Sequence, residues 1–275
     1  MFAVAVISFL FVKLGLVRGK VATEAVLFAT IVYLTDGVLG MFHHLYFAGT
    51  TTTAAVAFGA SFSALEVVPL AIIGLEAYET WSHANATPWM ARYRWPIMFF
   101  LAVSFWNLAG AGLFGFLINT PLALYYMQGL NLTPLHGHTA LFGVYGMLGI
   151  GLMLFCLRGL KPTALWHPGL LKGCFGALNI GLMMMALLTL LPMDVLQLNA
   201  ALEHGYAYAR SAEFMGKPIF DVLVWMRMPG DLRFATAAAL LTWFVTRHWL
   251  MPVADPGMDQ TTRTDVVEAV QQEVV

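Results

Sequence analysis

The sequence predicts an all-α polytopic membrane protein. Of its 275 residues, 60% are hydrophobic and only 11% are charged, and the mean hydropathy is +0.75. A soluble domain carries about a quarter charged residues, because its surface must be wetted. Apolar stretches of about 20 residues, each long enough to cross a hydrocarbon core of about 30 Å, recur along the chain. They count against the alternative, an unusually apolar soluble helical protein.

The apolar stretches predict about seven transmembrane helices. We place them at residues 1–17, 24–47, 55–78, 95–119, 134–157, 170–191 and 231–250. Between the last two, residues 193–230 are amphipathic, which predicts a long connection with short interfacial helices. We therefore expect a helical bundle over residues 1–252 and a polar cytoplasmic tail over 253–275, where acidic residues recur and aromatic residues are missing.

The basic residues orient these helices. Cytoplasmic loops are enriched in lysine and arginine, and one side of the bundle holds most of them: Lys13, Arg18, Lys20, Arg92, Arg94, Arg158, Lys161, Lys172, Arg247 and Arg263. That side is predicted to be cytoplasmic. Both histidine pairs of the chain, His43-His44 and His136-Gly137-His138, then lie toward the outer side. The net charge of −1 gives no sign of a nucleic-acid partner.

The adjacent pair His43 and His44 has the spacing of two ligands for one metal. Neighbouring residues on an α-helix project about 100° apart, so both imidazoles can lean toward one ion if a neighbouring helix supplies a third ligand. Imidazole suits iron, copper or zinc. The alternative is a pair of hydrogen-bonded interfacial histidines. Two consecutive ionisable residues inside a span favour a functional role.

His136 and His138 have a different geometry, because side chains two residues apart project about 200° apart on a helix. They suit two large planar groups on opposite sides of the helix, each taking one axial imidazole. Gly137 and Gly143 leave room there for macrocycles or for close helices. The alternative is a pair of histidines at a helix start, bonded to loop carbonyls.

Glu66 is a carboxylate inside the third predicted span, and Ser63 precedes it by about one turn on the same face. Ionisable residues in such segments often mark proton routes or substrate sites. We therefore expect Glu66 to deliver protons or to polarise a bound substrate. A structural glutamate bonded to a neighbouring helix is the alternative.

Three motifs resemble the catalytic subunit of bacterial nitric oxide reductase, a branch of the haem–copper oxidase superfamily. They are GMFHHLYF, FSALEVVPL and the long stretch around HGHTALFGVYGMLGIGLM, and the resemblance extends to about residue 250. It implies that His43 and His44 are two of three histidine ligands of a non-haem iron. His136 would be the ligand of a high-spin haem b, His138 an axial ligand of a low-spin haem b, and Glu66 the glutamate beside the binuclear centre.

The resemblance also implies a reaction and its setting. Nitric oxide would be reduced to nitrous oxide and water in a respiratory chain, in denitrification or detoxification, within the lipid of the bacterial inner membrane and with the metals toward the periplasm. The segments EHGYAYARSAEF and WMRMPGDLRF are closer to the quinol-dependent branch than to the one that takes electrons from cytochrome c. By that analogy Asp231 is a candidate for the quinol pocket.

The sequence departs from this family at its start. The family forms a twelve-helix bundle, and its third iron-binding histidine and the other axial histidine of the low-spin haem lie upstream of the matching residues. The chain is therefore expected to be the second half of such a bundle, incomplete without partner N-terminal helices. Two other functions stay open: oxygen reduction with copper in place of the non-haem iron, and a non-catalytic haem-binding membrane protein.

Overall fold

The computed structural model describes residues 2–49, 51–80, 88–161 and 164–251, and these residues contain helices and no strands. The polar tail predicted at 253–275 lies outside them. Seven helices of twelve residues or more follow one another: α1 Phe2–Lys13, α2 Gly19–Leu39, α3 Thr53–Glu76, α4 Arg94–Asn119, α5 Leu132–Leu160, α6 Pro168–His204 and α7 Met228–Leu250. A 3₁₀ segment, Gly40–Ala48, continues α2.

Each predicted span contains one of these helices. Four of the described helices, α3 to α6, are long and apolar enough to cross a membrane. The all-α class is therefore confirmed, while the total of about seven crossings stays a prediction.

Helix α6 is longer than the sequence predicts. It was expected to end at residue 191, but it continues to His204. A π-helical turn at Ala186–Leu190 lies directly before Pro192; its wider winding loosens the backbone where the proline ring would otherwise clash. The predicted connection 193–230 was thus wrong at its beginning. Short helices do follow it, at Tyr206–Ala209, Ala212–Met215 and Pro218–Trp225.

The buried apolar residues form three clusters at different positions along the bundle. The largest joins α1, α2, α4, α5, α6 and α7 around side chains such as Phe99, Leu154, Leu178 and Phe244. A second, which includes Leu132 and Leu135, packs the start of α5 against α3, α4 and α6. The third holds the short helices after α6 against that helix. The second cluster thus fixes the helix that carries His136 and His138.

Helices α6 and α7 approach each other at a pair of glycines. A Cβ atom added to Gly181 would lie 2.8 Å from the carbonyl oxygen of Gly230, and a Cβ on Gly230 would lie equally close to the carbonyl oxygen of Gly181. Small residues of this kind allow two helix backbones into direct contact.

Gly181→Ala should therefore destabilise the protein by about 1–3 kcal/mol, because backbone atoms must shift to admit the methyl group. The apparent Tm in detergent should fall by about 2–4 °C for each kcal/mol. Gly176→Ala is the matched control on the same helix, since its Cβ would meet nothing within 4 Å. An equal Tm for the two variants would contradict the close contact.

Candidate haem and metal site

Two π-helical turns face each other beside the second histidine pair. They span Asn107–Phe114 in α4 and Thr139–Gly146 in α5. A Cβ on Gly110 would lie 2.6 Å from the Cβ of Thr139, so no larger residue fits between the helices. Such turns leave the regular hydrogen-bond ladder and are frequent at functional sites. Here one of them presents a backbone carbonyl to a histidine ring.

That ring is His136. Its Nδ1 lies 3.0 Å from the carbonyl oxygen of Gly110; because a carbonyl only accepts, Nδ1 must carry the proton. In a neutral imidazole the other nitrogen, Nε2, then holds a free lone pair. A Cβ on Gly115 would lie 3.1 Å from the ring. His136 therefore presents an electron pair on the side of α4, which is the tautomer that a metal ligand needs.

His138 has the same tautomer on another side of the helix. Its Nδ1 donates to the carbonyl oxygen of Pro134 at 2.7 Å. Its Nε2 accepts from Nη2 of Arg227, at the start of α7, at 2.9 Å. The two imidazoles thus point to different neighbouring helices, as their spacing predicts. Both tautomers fit axial ligation of haem iron, because Nδ1 is bound to a backbone carbonyl and Nε2 is an acceptor.

Gly137 and Gly143 separate the two possibilities that the sequence left open. A Cβ on Gly137 would meet nothing within 4 Å, whereas one on Gly143 would overlap the Trp106 side chain at 2.5 Å. Gly143 therefore admits a close helix rather than a macrocycle. The space beside the histidines lies at Gly137.

Asp231 is joined to His138 through an arginine. Nε of Arg227 donates to both carboxylate oxygens of Asp231 at 3.0 Å, and the same guanidinium bonds to the imidazole. Sequence reasoning missed Arg227, although the motif WMRMPGDLRF contains it. The quinol-pocket candidate is therefore one residue away from the predicted low-spin haem ligand.

His43 and His44 lie in the 3₁₀ segment rather than in the α-helix that the sequence predicts. Their ring centroids are 4.0 Å apart at an interplanar angle of 40°. His43 is buried and His44 is exposed, and Nε2 of Gln128 donates to the carbonyl oxygen of His43 at 2.8 Å. His44 lies close enough to His136 for a charge on one ring to disfavour a charge on the other. The two histidine pairs thus meet at one end of the bundle.

Within the described residues, no three His, Cys, Asp or Glu side chains come together as a metal site. The pair can supply two imidazoles to a metal and needs a further ligand. The donors present fit iron or copper in their chemistry, although they do not complete a coordination sphere.

A cavity of about 200 Å³ connects Glu66 with His136. Glu66 lies at the turn that separates two helical segments of α3, where its N–H bonds to the carbonyl oxygen of Ser63. Ser63 lines the same cavity and accepts from Nδ2 of Asn119 at 3.0 Å. Asn107, which is 4% exposed, completes this polar wall, and its Nδ2 finds no acceptor in the described part of the chain. The two asparagines escaped sequence reasoning because amides lie in many helix interfaces without any catalytic role.

The comparison with known proteins identifies the family. The family described as "Cytochrome C and Quinol oxidase polypeptide I" matches residues 1–233. The chain belongs to this family. Its members bind haems and a metal, and together with the four apolar helices this membership indicates a multi-pass membrane oxidoreductase.

One relative within this oxidase family is a nitric oxide reductase subunit of Stutzerimonas stutzeri, which is 29% identical over 145 residues. That alignment covers 52% of this chain and 30% of the relative. The chain therefore matches less than a third of the length of this relative.

Proposed function

We propose that the chain carries the catalytic centre of a nitric oxide reductase, which reduces two NO molecules with two electrons and two protons to nitrous oxide and water. The observation that carries the proposal is the cavity shared by the carboxylate-bearing Glu66 and the imidazole of His136. The similarity to the nitric oxide reductase of Stutzerimonas stutzeri supports it.

The histidines divide three metal groups in this proposal. His136 would hold a high-spin haem b and His138 a low-spin haem b, while His43 and His44 would provide two ligands of a non-haem iron. When bound, these groups would supply the electrons and the sites for NO. The carbonyls of Gly110 and Pro134 fix both haem-ligand tautomers in advance. Because those two ligands are two residues apart, electrons would have a short path between the haems.

Glu66 would hold a proton for the reaction in a wall that is otherwise largely apolar. Each turnover consumes two protons, and a carboxyl group at the cavity can take them up and release them close to the reacting atoms. Ser63 and Asn119, joined by a hydrogen bond, would orient water beside it. This pathway requires the carboxyl group itself, since an amide cannot transfer the proton.

The setting follows from the same proposal. Quinol within the membrane lipid would donate electrons to the low-spin haem, in preference to cytochrome c, and Asp231 with Arg227 would border the donor site. The protein would lie in the bacterial inner membrane, with its metals toward the periplasmic side and with upstream helices completing the ligand sets.

The test is product analysis with the protein purified from its own membranes, together with whatever chains accompany it. With a reduced quinol and ¹⁵N-labelled NO, we expect one N₂O for every two NO molecules consumed. Rapid quinol-dependent oxygen consumption without N₂O would contradict the proposal and favour an oxidase instead.

A further inference from the structure

The start of α5, the helix that carries His136 and His138, is capped by another helix. The first N–H groups of any helix lack partners within it, and Asn131, which precedes α5, makes no capping bond with its own side chain. Instead the backbone N–H of Leu132 donates to Oδ1 of Asp194 at 2.8 Å. The N–H of Asn131 donates to Oε1 of Gln197 at 3.0 Å, and its Nδ2 to the same oxygen at 2.6 Å.

Both capping side chains are deeply buried on one face of α6. Asp194 is 2% exposed and Gln197 is 4% exposed, and residues three apart lie on the same side of a helix. None of the ion pairs in the described part of the chain involves Asp194. Its carboxylate instead faces the N-terminus of α5, where the helix dipole favours negative charge.

The cap is tied to its surroundings at a second point. Nε2 of Gln197 donates to the carbonyl oxygen of Ala209 at 3.1 Å, so the amide bridges α5 and the short helix Tyr206–Ala209. Leu135 and Thr139, each fully buried, hold other sides of the same stretch of α5. Polar and apolar contacts together leave this helix start little freedom to rotate or slide.

We propose that Asp194 and Gln197 are positioning residues for the two predicted haem ligands. Leu132 and His136 are four residues apart, about one helical turn, so rotation of the helix at the cap would be carried directly to the ring. The capping bonds thereby keep Nε2 of His136 on the side of α4 and Nε2 of His138 on the side of α7. This inference rests on the proposed function for its haems, while the cap itself does not.

The experiment compares Asp194→Ala with Asp194→Asn, which keeps a carbonyl oxygen as acceptor. Glu203→Ala, an exposed carboxylate on the same helix, is the matched control. Hydrogen exchange of residues 130–139, followed by mass spectrometry in detergent, should quicken by about fivefold or more in Asp194→Ala, the factor expected for a lost cap. Asp194→Asn should restore slow exchange, and Glu203→Ala should leave it unchanged.

The second measurement is the haem absorption spectrum of the same variants. Asp194→Ala should lose or shift the haem bands, and Asp194→Asn should keep them. Wild-type exchange and spectra in Asp194→Ala would overturn the inference, and so would an Asp194→Asn variant as damaged as Asp194→Ala. Exchange needs no haem and therefore decides on the cap separately; a wild-type protein that takes up no haem would count against the proposed function.

Discussion

His136→Ala should remove the high-spin haem and abolish NO reduction. The imidazole is held by Gly110 so that Nε2 faces α4, and alanine has no atom that can replace this donor. The haem content should fall by about half, because one of two haems loses its protein ligand while His138 keeps the other. Pyridine haemochrome analysis measures the content, and N₂O formation measures the activity.

His204→Ala is the control for this variant, because His204 is exposed in the outer part of the chain. Its haem content and rate should equal those of wild type. Added imidazole should restore part of the high-spin spectrum in His136→Ala by occupying the vacated position. An unchanged optical spectrum in His136→Ala would show that the ligand assignment is wrong.

Glu66→Gln should slow NO reduction by about a hundredfold or more, the contribution typical of a positioned proton-transfer group. Glutamine has nearly the same shape and still borders the cavity, so the haem spectrum should stay that of wild type. The rate is measured as N₂O formation at saturating NO and quinol. Glu66→Asp, which retains a carboxyl group at a shorter reach, should recover part of the loss.

Glu213→Gln, an exposed carboxylate in a short helix after α6, serves as the control and should keep the full rate. A full rate in Glu66→Gln would assign Glu66 the structural role that the sequence left open. A lost haem spectrum in Glu66→Gln would likewise contradict a role confined to proton transfer.

Local geometry accounts for what the sequence predicted about the site. The angle of about 100° per residue on a helix is enough to place His136 and His138 toward different neighbours. Hydropathy was enough to find the apolar helices, because a helix in lipid must be apolar over about 20 residues. Ser63 and Glu66 border one cavity for the same kind of reason, since residues three apart share a helix face.

Contacts between distant segments explain what the sequence did not predict. The carbonyl of Gly110 reaches His136 only because the two helices touch at Thr139, and Arg227 comes to His138 from 89 residues away. Neither pairing leaves a periodic trace in the sequence. The π-helical turns likewise depend on how neighbouring helices pack, and the 3₁₀ winding at His43 is a local departure that hydropathy does not register.

The extension of α6 shows the same limit at a helix end. Pro192 was treated as a stop signal, because proline removes a backbone N–H and clashes with the preceding turn. The π-helical turn before it relieves that conflict, and the helix continues far enough to bring Asp194 and Gln197 to the start of α5. The predicted break would have removed this cap.

Metal analysis of the protein purified with its accompanying chains tests the central claim most directly, because the proposed site needs a non-haem iron beside the haems. Haem is measured as the pyridine haemochrome, and iron and copper by mass spectrometry of the same sample. The account predicts about three irons for every two haems and no stoichiometric copper. Iron equal to haem, with one copper for each pair of haems, would contradict it and identify an oxygen-reducing centre.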